Sequence, residues 1–306
     1  MARRAKQSLH FATATYLVVA LQLIAGCSGI GDLANTEQRD TTQVSTYPQA
    51  LEQGAPLLSA FYGLDDAIPF LASVRICGGF GHQDGMPVIF SKEVDTATVQ
   101  AGDFLVTLAD GSQVSVACAT PAPAEDLGEL RTILLIGDFG SNDNQPVSVE
   151  IAGNIISLDQ QSNFLGSSVN VTELERGPSL IHAEAVDEDQ WELGKQATSL
   201  RFGGGDGCPA ATRQVIRVVW AGGVTKPGGD EVDDVERLAY RVFVASEDGQ
   251  PQQVVPFAIA DLGDGDNNHE LCLDVDAPAV RVEFPANLLT DPREDLNPAT
   301  AVTVSY

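Results

Sequence analysis

Residues 147–157, VSVEIAGNIIS, recur 133 positions later as residues 280–290, VRVEFPANLLT. Each copy opens with apolar side chains at every second position: Val147, Val149 and Ile151 in one, Val280, Val282 and Phe284 in the other. Side chains alternate between the faces of a strand, so the pattern predicts half-buried β-strands. The match runs without a gap to residues 171 and 304, through Asn154/Asn287, Val169/Val302 and Val171/Val304. Its six identities in 25 positions fall on residues that would face a core or make a turn. Upstream, Phe104-Leu-Val-Thr-Leu-Ala-Asp-Gly111 parallels Tyr240-Arg-Val-Phe-Val244 before Asp248-Gly249, and Pro69-x-Leu71 matches Pro178-x-Leu180. Such self-similarity predicts a duplicated domain.

Outside the repeat, short runs rich in Val, Ile, Phe and Thr alternate with Gly and Asp turn signals. Residues 87–91, 132–136 and 215–220 are examples. No helical period is sustained over ten residues after the N-terminal segment. The expected fold is all-β: two antiparallel sandwiches over residues 67–175 and 176–306, the second longer by inserts around 191–214 and 225–237. Residues 28–53 are polar and read as a flexible tether, and 55–66 are more apolar and expected to pack on the first sandwich.

Within the first sandwich, Pro87-Val-Ile-Phe-Ser-Lys-Glu-Val-Asp-Thr-Ala-Thr-Val99, followed by Asp103-Phe104 and the Asp110-Gly111 turn, resembles bacterial Ig-like domains of the surface-layer SbsA type. The resemblance implies an Ig-like sandwich serving as a spacer, adhesive or accessory module in an envelope protein. The second sandwich lacks the Phe-Ser…Asp-Thr stretch, so its membership rests on the repeat.

The N-terminus supplies an address. Arg3, Arg4 and Lys6 precede a largely apolar run over residues 9–24, too short at about 16 residues to span a bilayer as a helix. Ile24-Ala25-Gly26-Cys27 then resembles the lipobox of bacterial lipoproteins. The resemblance implies a signal peptide over 1–26, palmitate-type acylation of Cys27, a membrane anchor of several acyl chains and residence in the cell envelope. Ser28 implies passage to the outer membrane in a Gram-negative cell. Four cysteines remain: Cys77, Cys118, Cys208 and Cys272. An even number in an exported chain predicts two disulfides. Three pairings are possible, and sequence proximity favours Cys77–Cys118 with Cys208–Cys272.

The chain has 306 residues, with 17 Lys+Arg against 43 Asp+Glu. Loss of residues 1–26 would remove three basic residues and no acid, leaving a formal charge of −29. That acidity argues against nucleic acid as a partner, because phosphate binding requires a basic surface. The partners expected are the membrane, through the lipid, and a protein or glycan of the envelope.

Chemistry-bearing residues are few. Asp261, Asp264, Asp266 and Asn268 lie in one Gly-rich loop, and three of them alternate as the first ligands of an EF-hand do; Ca²⁺ is the cofactor they predict. The EF-hand glycine and distal glutamate are absent, His269 and Val275 standing there instead. The acids of 230–236 read as a solvated face. Gly203–Gly207 reads as a loop, since no Lys-Ser/Thr follows it. His82, His182 and His269 are the mature chain's histidines, with no hydrolase elbow and no zinc-protease motif. Trp191 and Trp220 read as packing residues. No catalytic residue is assigned, and the expectation is a non-enzymatic envelope protein for binding, adhesion or assembly. The alternative is a metal-dependent hydrolase or carbohydrate-active protein using the Asp/Asn/His loop of the second domain.

Overall fold

The computed structural model describes residues 44–45, 52–66, 68, 83–197 and 205–306. The signal segment, Cys27, most of the tether, Pro69, Leu71, Cys77 and His82 lie outside the described residues. Among the described residues no helix is long and apolar enough to cross a membrane.

The fold is all-β, built from two eight-stranded ladders. The first contains β2 (Leu57–Phe61), β3 (Asp84–Phe90), β4 (Phe104–Leu108), β5 (Gln113–Val114), β6 (Val116–Thr120), β7 (Thr132–Gly137), β8 (Pro146–Ile151) and β10 (Ser168–Thr172). A two-residue parallel pairing of β1 (Glu52–Gln53) with β9 (Ser162–Asn163) lies apart from it. The second ladder contains β11 (Leu180–Ala185), β12 (Gln214–Trp220), β13 (Arg241–Val244), β14 (Gln252–Val254), β15 (Ala258–Ala260), β16 (Asn268–Leu273), β17 (Ala279–Phe284) and β18 (Thr300–Ser305). Their strand orders, β5-β4-β8-β10-β2-β3-β7-β6 and β14-β13-β17-β18-β11-β12-β16-β15, are the same topology twice.

Each ladder doubles over at one strand. In β10, Ser168, Val169 and Asn170 pair antiparallel with β8, and Val171 and Thr172 pair parallel with β2. β18 changes partner in the same way, from β17 to β11. The two halves enclose one apolar core per ladder, such as Val88, Phe90, Phe104, Val106, Ile133 and Val149 in the first.

Strand register fixes the repeat residue by residue. Val149 faces Val169 and Val282 faces Val302, which is the sequence match at 133. Val106 faces Val149 and Val242 faces Val282, so β4 and β13 correspond at a shift of 136. At the start of the repeat the sequence alignment is corrected. Leu180 pairs with Trp220 and Leu57 with Phe90, each followed by an irregular step, so Leu57 and not Leu71 is the counterpart of Leu180. Leu57–Phe61 is therefore an inner strand of the first ladder, where the sequence reading began the sandwich at 67 and expected 55–66 only to pack on it.

A short α-helix, α1 (Asp234–Ala239), interrupts the β pattern. The Asp233 carboxylate accepts from Val235 N–H, and Glu236 reaches back to Asp233 N–H, a capping box. The acidic run 230–236 thus caps a helix as well as facing solvent. Cys208 and Cys272 form a disulfide with Cα atoms 5.7 Å apart, as expected from proximity. Cys118 is also disulfide-bonded.

Candidate functional site

Strands β12 and β16 are buried on both faces, and the two faces differ chemically. Ile216, Val218, Trp220, Leu271 and Leu273 point into the core. On the opposite face Arg217 pairs with Glu270 directly across the ladder, and Thr132 of β7 receives a hydrogen bond from Asn267 at 3.2 Å. The outer face of the second sandwich is thus pressed against the first. A charged residue inside a Val/Ile run, Gln-Val-Ile-Arg217-Val-Val-Trp, was the available sequence signal for that contact.

Arg217 Nη2 donates to Glu270 Oε1 at 2.9 Å and to the Leu127 carbonyl at 3.0 Å, and Nη1 lies 3.7 Å from Glu184 Oε1. Arg131, from the first sandwich, pairs with Glu184 of β11. Burial opposes the Arg217 charge, yet Glu270, Glu129, Glu184 and Asp261 together hold its guanidinium above the ordinary value. Lys195 and Asp126 add a further ion pair at 3.4 Å, at the rim.

The acidic loop joins β15 to β16. Its counterpart in the first sandwich is the β6–β7 loop, residues 121–131, and the two meet. Carboxylate oxygens of Glu129, Asp261 and Asp266 lie within 4.8 Å of one another, as do those of Asp126, Asp261 and Asp264. Asp261 belongs to both groups and is held at φ 63°, with its N–H donated to the Asp206 carbonyl at 2.7 Å. Gly205 lies so close that a Cβ there would stand 2.5 Å from Asp261 Cα. This gives the glycine-rich segment a packing role; Gly203 and Gly204 lie outside the described residues.

The structure brings three of the four sequence-chosen residues together and gives the fourth another task. Asn268 opens β16, and its Nδ2 and backbone N–H donate to the Asp266 carboxylate at 2.6 and 2.8 Å. It therefore orients Asp266, and the i, i+2, i+4 convergence read from the sequence is replaced by convergence across the two sandwiches. Asp126 and Glu129 were missed, because nothing local in 121–131 says which loop it meets.

Electrostatics set the demand of this cluster. Burial, then the charges of Asp266 and Asp261, drives the Glu129 carboxyl far above the usual range, with Arg217 only partly opposing. Burial raises Asp261, Asp264 and Asp266 as well. Two carboxylates 4.8 Å apart repel by about 3 kcal/mol at an effective dielectric of about 20, so three or more cannot all stay charged without a counter-charge. The arrangement must take up protons or a cation.

A cavity of about 420 Å³ adjoins the loop, with Leu64, Ile68 and Ile136 on one wall and Asp264, Asp266 and His269 on the other. His269 itself belongs to the core. Trp220 Nε1–H donates to Tyr240 Oη at 3.0 Å, and Tyr240 in turn faces His269 Nδ1 at 2.9 Å. The hydroxyl and Nδ1 share one hydrogen bond, and the fully buried imidazole is held in its neutral form. Burial holds His269 down at about 4. His182 lies apart, beside Glu184 and Ser305 at 3.4 Å each. Trp220 is fully buried in the core, and half-buried Trp191 packs near the Cys208–Cys272 disulfide with its indole N–H on the Val186 carbonyl.

No protein-family model matches the chain, and no characterised protein matches it by sequence. Among solved structures, it is similar to the N-terminal part of the bacterial S-layer protein SbsC at 11% identity and a TM-score of 0.25, covering 82% of this chain and 44% of that one. A structure of domains 1–6 of the same S-layer protein gives 12% and 0.27, covering 83% and 40%. A fragment of native alpha-2-macroglobulin from Escherichia coli gives 12% and 0.23, covering 73% and 67%. The chain spans less than half the length of those S-layer chains. Similarity at this level assigns neither a family nor an activity.

Proposed function

We propose that the chain is an exported, lipid-anchored envelope protein whose two Ig-like sandwiches act together as a rigid, non-catalytic module for binding or assembly. The observation that carries this reading is the junction. Two sandwiches of one topology are clamped through their outer faces by buried Arg217 of the second, which donates to the Leu127 carbonyl of the first, and by the Arg131–Glu184 pair. A clamp of this kind suits a body that holds a surface in place at the end of a tether. The Cys208–Cys272 disulfide supports an oxidising compartment, and the lipobox resemblance at Cys27 supports the anchor.

Mass spectrometry of the natively expressed N-terminus tests the anchor: a lipid-modified Cys27 is expected, and an unmodified thiol or cleavage elsewhere overturns it. One observation favours the alternative, a metal-dependent hydrolase: the cavity wall that joins His269 to Asp264 and Asp266. Turnover on a hydrolase panel that is lost in His269→Ala would replace the non-catalytic reading.

A further inference from the structure

We propose that the two equivalent loops, residues 121–131 of the first sandwich and 261–267 of the second, together form one divalent-cation site that staples the sandwiches, with Glu129, Asp261 and Asp266 as its anionic ligands. The proposal goes beyond the module reading and does not depend on the lipid anchor.

Three observations carry it. The first is distance. Oxygens bound to one Ca²⁺ at 2.3–2.6 Å lie no more than about 5 Å apart, and the three carboxylates satisfy this, with Asp264 and Asp126 flanking through Asp261. The second is an oxygen with nothing to bind. Asp261 is 8% exposed, and its Oδ2 is buried without a hydrogen-bond donor unless the neighbouring Glu129 carboxyl carries a proton. A buried acceptor left this way costs about 1–3 kcal/mol, and a cation removes that cost. Asn268, 1% exposed on the same cavity wall, also has a buried Oδ1 without a donor. The third is charge. The junction's basic groups, Arg217, Arg131 and Lys195, are already matched by Glu270, Glu184, Glu192 and Asp126. Arg217 also acts on Glu129 and Asp261, but one guanidinium already paired with Glu270 and Glu184 leaves Glu129, Asp261 and Asp266 with a net negative excess.

The donor set selects the ion. It is all oxygen, without thiolate, and the imidazole beside it has Nδ1 engaged by Tyr240. Hard cations are favoured, and ligands drawn from two loops suit the flexible coordination of Ca²⁺ better than the strict octahedron of Mg²⁺.

The test is calorimetric titration of the EDTA-treated full chain with Ca²⁺ and with Mg²⁺, beside thermal melts in both. A saturable heat with a dissociation constant of about 1 mM or tighter for Ca²⁺ is expected, weaker for Mg²⁺, with a matching rise in melting temperature. Glu129→Gln and Asp261→Asn should each weaken Ca²⁺ binding at least tenfold. Both remove repulsion, so neither should unfold the chain, and Asp110→Asn in a distant turn should bind as the parent does. Hydrogen exchange then reads the staple: Ca²⁺ should slow exchange in both 121–131 and 261–267. Absence of heat and of a melting shift in millimolar Ca²⁺ overturns the site. Binding that survives Glu129→Gln, or protection confined to 261–267, overturns the staple.

Discussion

Tyr240 occupies in the second sandwich the place that Phe104 holds in the first: Phe104 pairs with Ile151, and the Tyr240 ring packs on Phe284 with centroids 4.6 Å apart. The same comparison sets Trp220 against Phe90 and His269 against Ile133. An apolar corner in one copy is thus a hydrogen-bonded chain, Trp220–Tyr240–His269, in the other. Tyr240→Phe removes the link and leaves an indole N–H and an imidazole nitrogen buried without partners. The expected loss is about 1–3 kcal/mol in urea unfolding, whereas replacing all three residues by their first-sandwich counterparts should lose less than the single change. A triple variant less stable than Tyr240→Phe would remove this account.

His269 makes the fold sensitive to acid. Its folded value of about 4 lies below the ordinary value of about 6.5, so the unfolded chain binds the proton first. The contribution is present in full above pH 6.5 and is lost as pH falls towards 4, amounting to about 3 kcal/mol. The raised carboxyls of the interface act in the opposite sense and gain stability over the same range. The measurement is therefore a difference. Stability of the parent minus that of Tyr240→Phe/His269→Ile should fall between pH 6.5 and 4, and a flat difference would contradict the assignment.

These relationships explain what was legible in the sequence. The stretch from Val147 to Val171 could be aligned with its copy because it contains strands and turns of equal length. Alignment failed upstream because the connection before β12 is longer than that before β3: the shift is 123 at Leu57/Leu180 and 130 at Phe90/Trp220. Three of the five acids of the site were readable, since Asp261, Asp264 and Asp266 share one loop. Asp126 and Glu129 enter from more than 100 residues away, and only docking of the two outer faces brings them in.

Arg217 should be the most damaging single charge to remove at the junction. Arg217→Met leaves Glu270 without its partner and takes a guanidinium from beside Glu129, with an expected cost of about 3–5 kcal/mol. Glu270→Gln added to it should recover part of that loss. Denaturant unfolding of the two single variants and the double tests this, and purely additive losses would show that the pair is not coupled.

Gly128 reaches the same guanidinium from the other sandwich. It has φ 89°, and a Cβ there would lie 1.9 Å from Arg217 Nη1. Gly128→Ala must therefore strain the loop and displace Arg217 together. Its cost should overlap with that of Arg217→Met, so the double variant should lose less than the two losses combined. Full additivity in the double-mutant cycle would mean that the glycine matters only for its backbone.

The disulfide is the last element with a separable effect. Cys208 and Cys272 are 64 positions apart, and closing a loop of that length lowers the entropy of the unfolded chain by an amount worth about 4 kcal/mol. The bond also ties the long β11–β12 connection to β16, the strand that follows the acidic loop. Cys208→Ser/Cys272→Ala should therefore lower stability by about that amount and also speed hydrogen exchange in residues 205–213. If stability falls while exchange there is unchanged, the bond acts through the unfolded chain alone. If neither changes, β16 is held by its ladder and the Arg217 clamp without it.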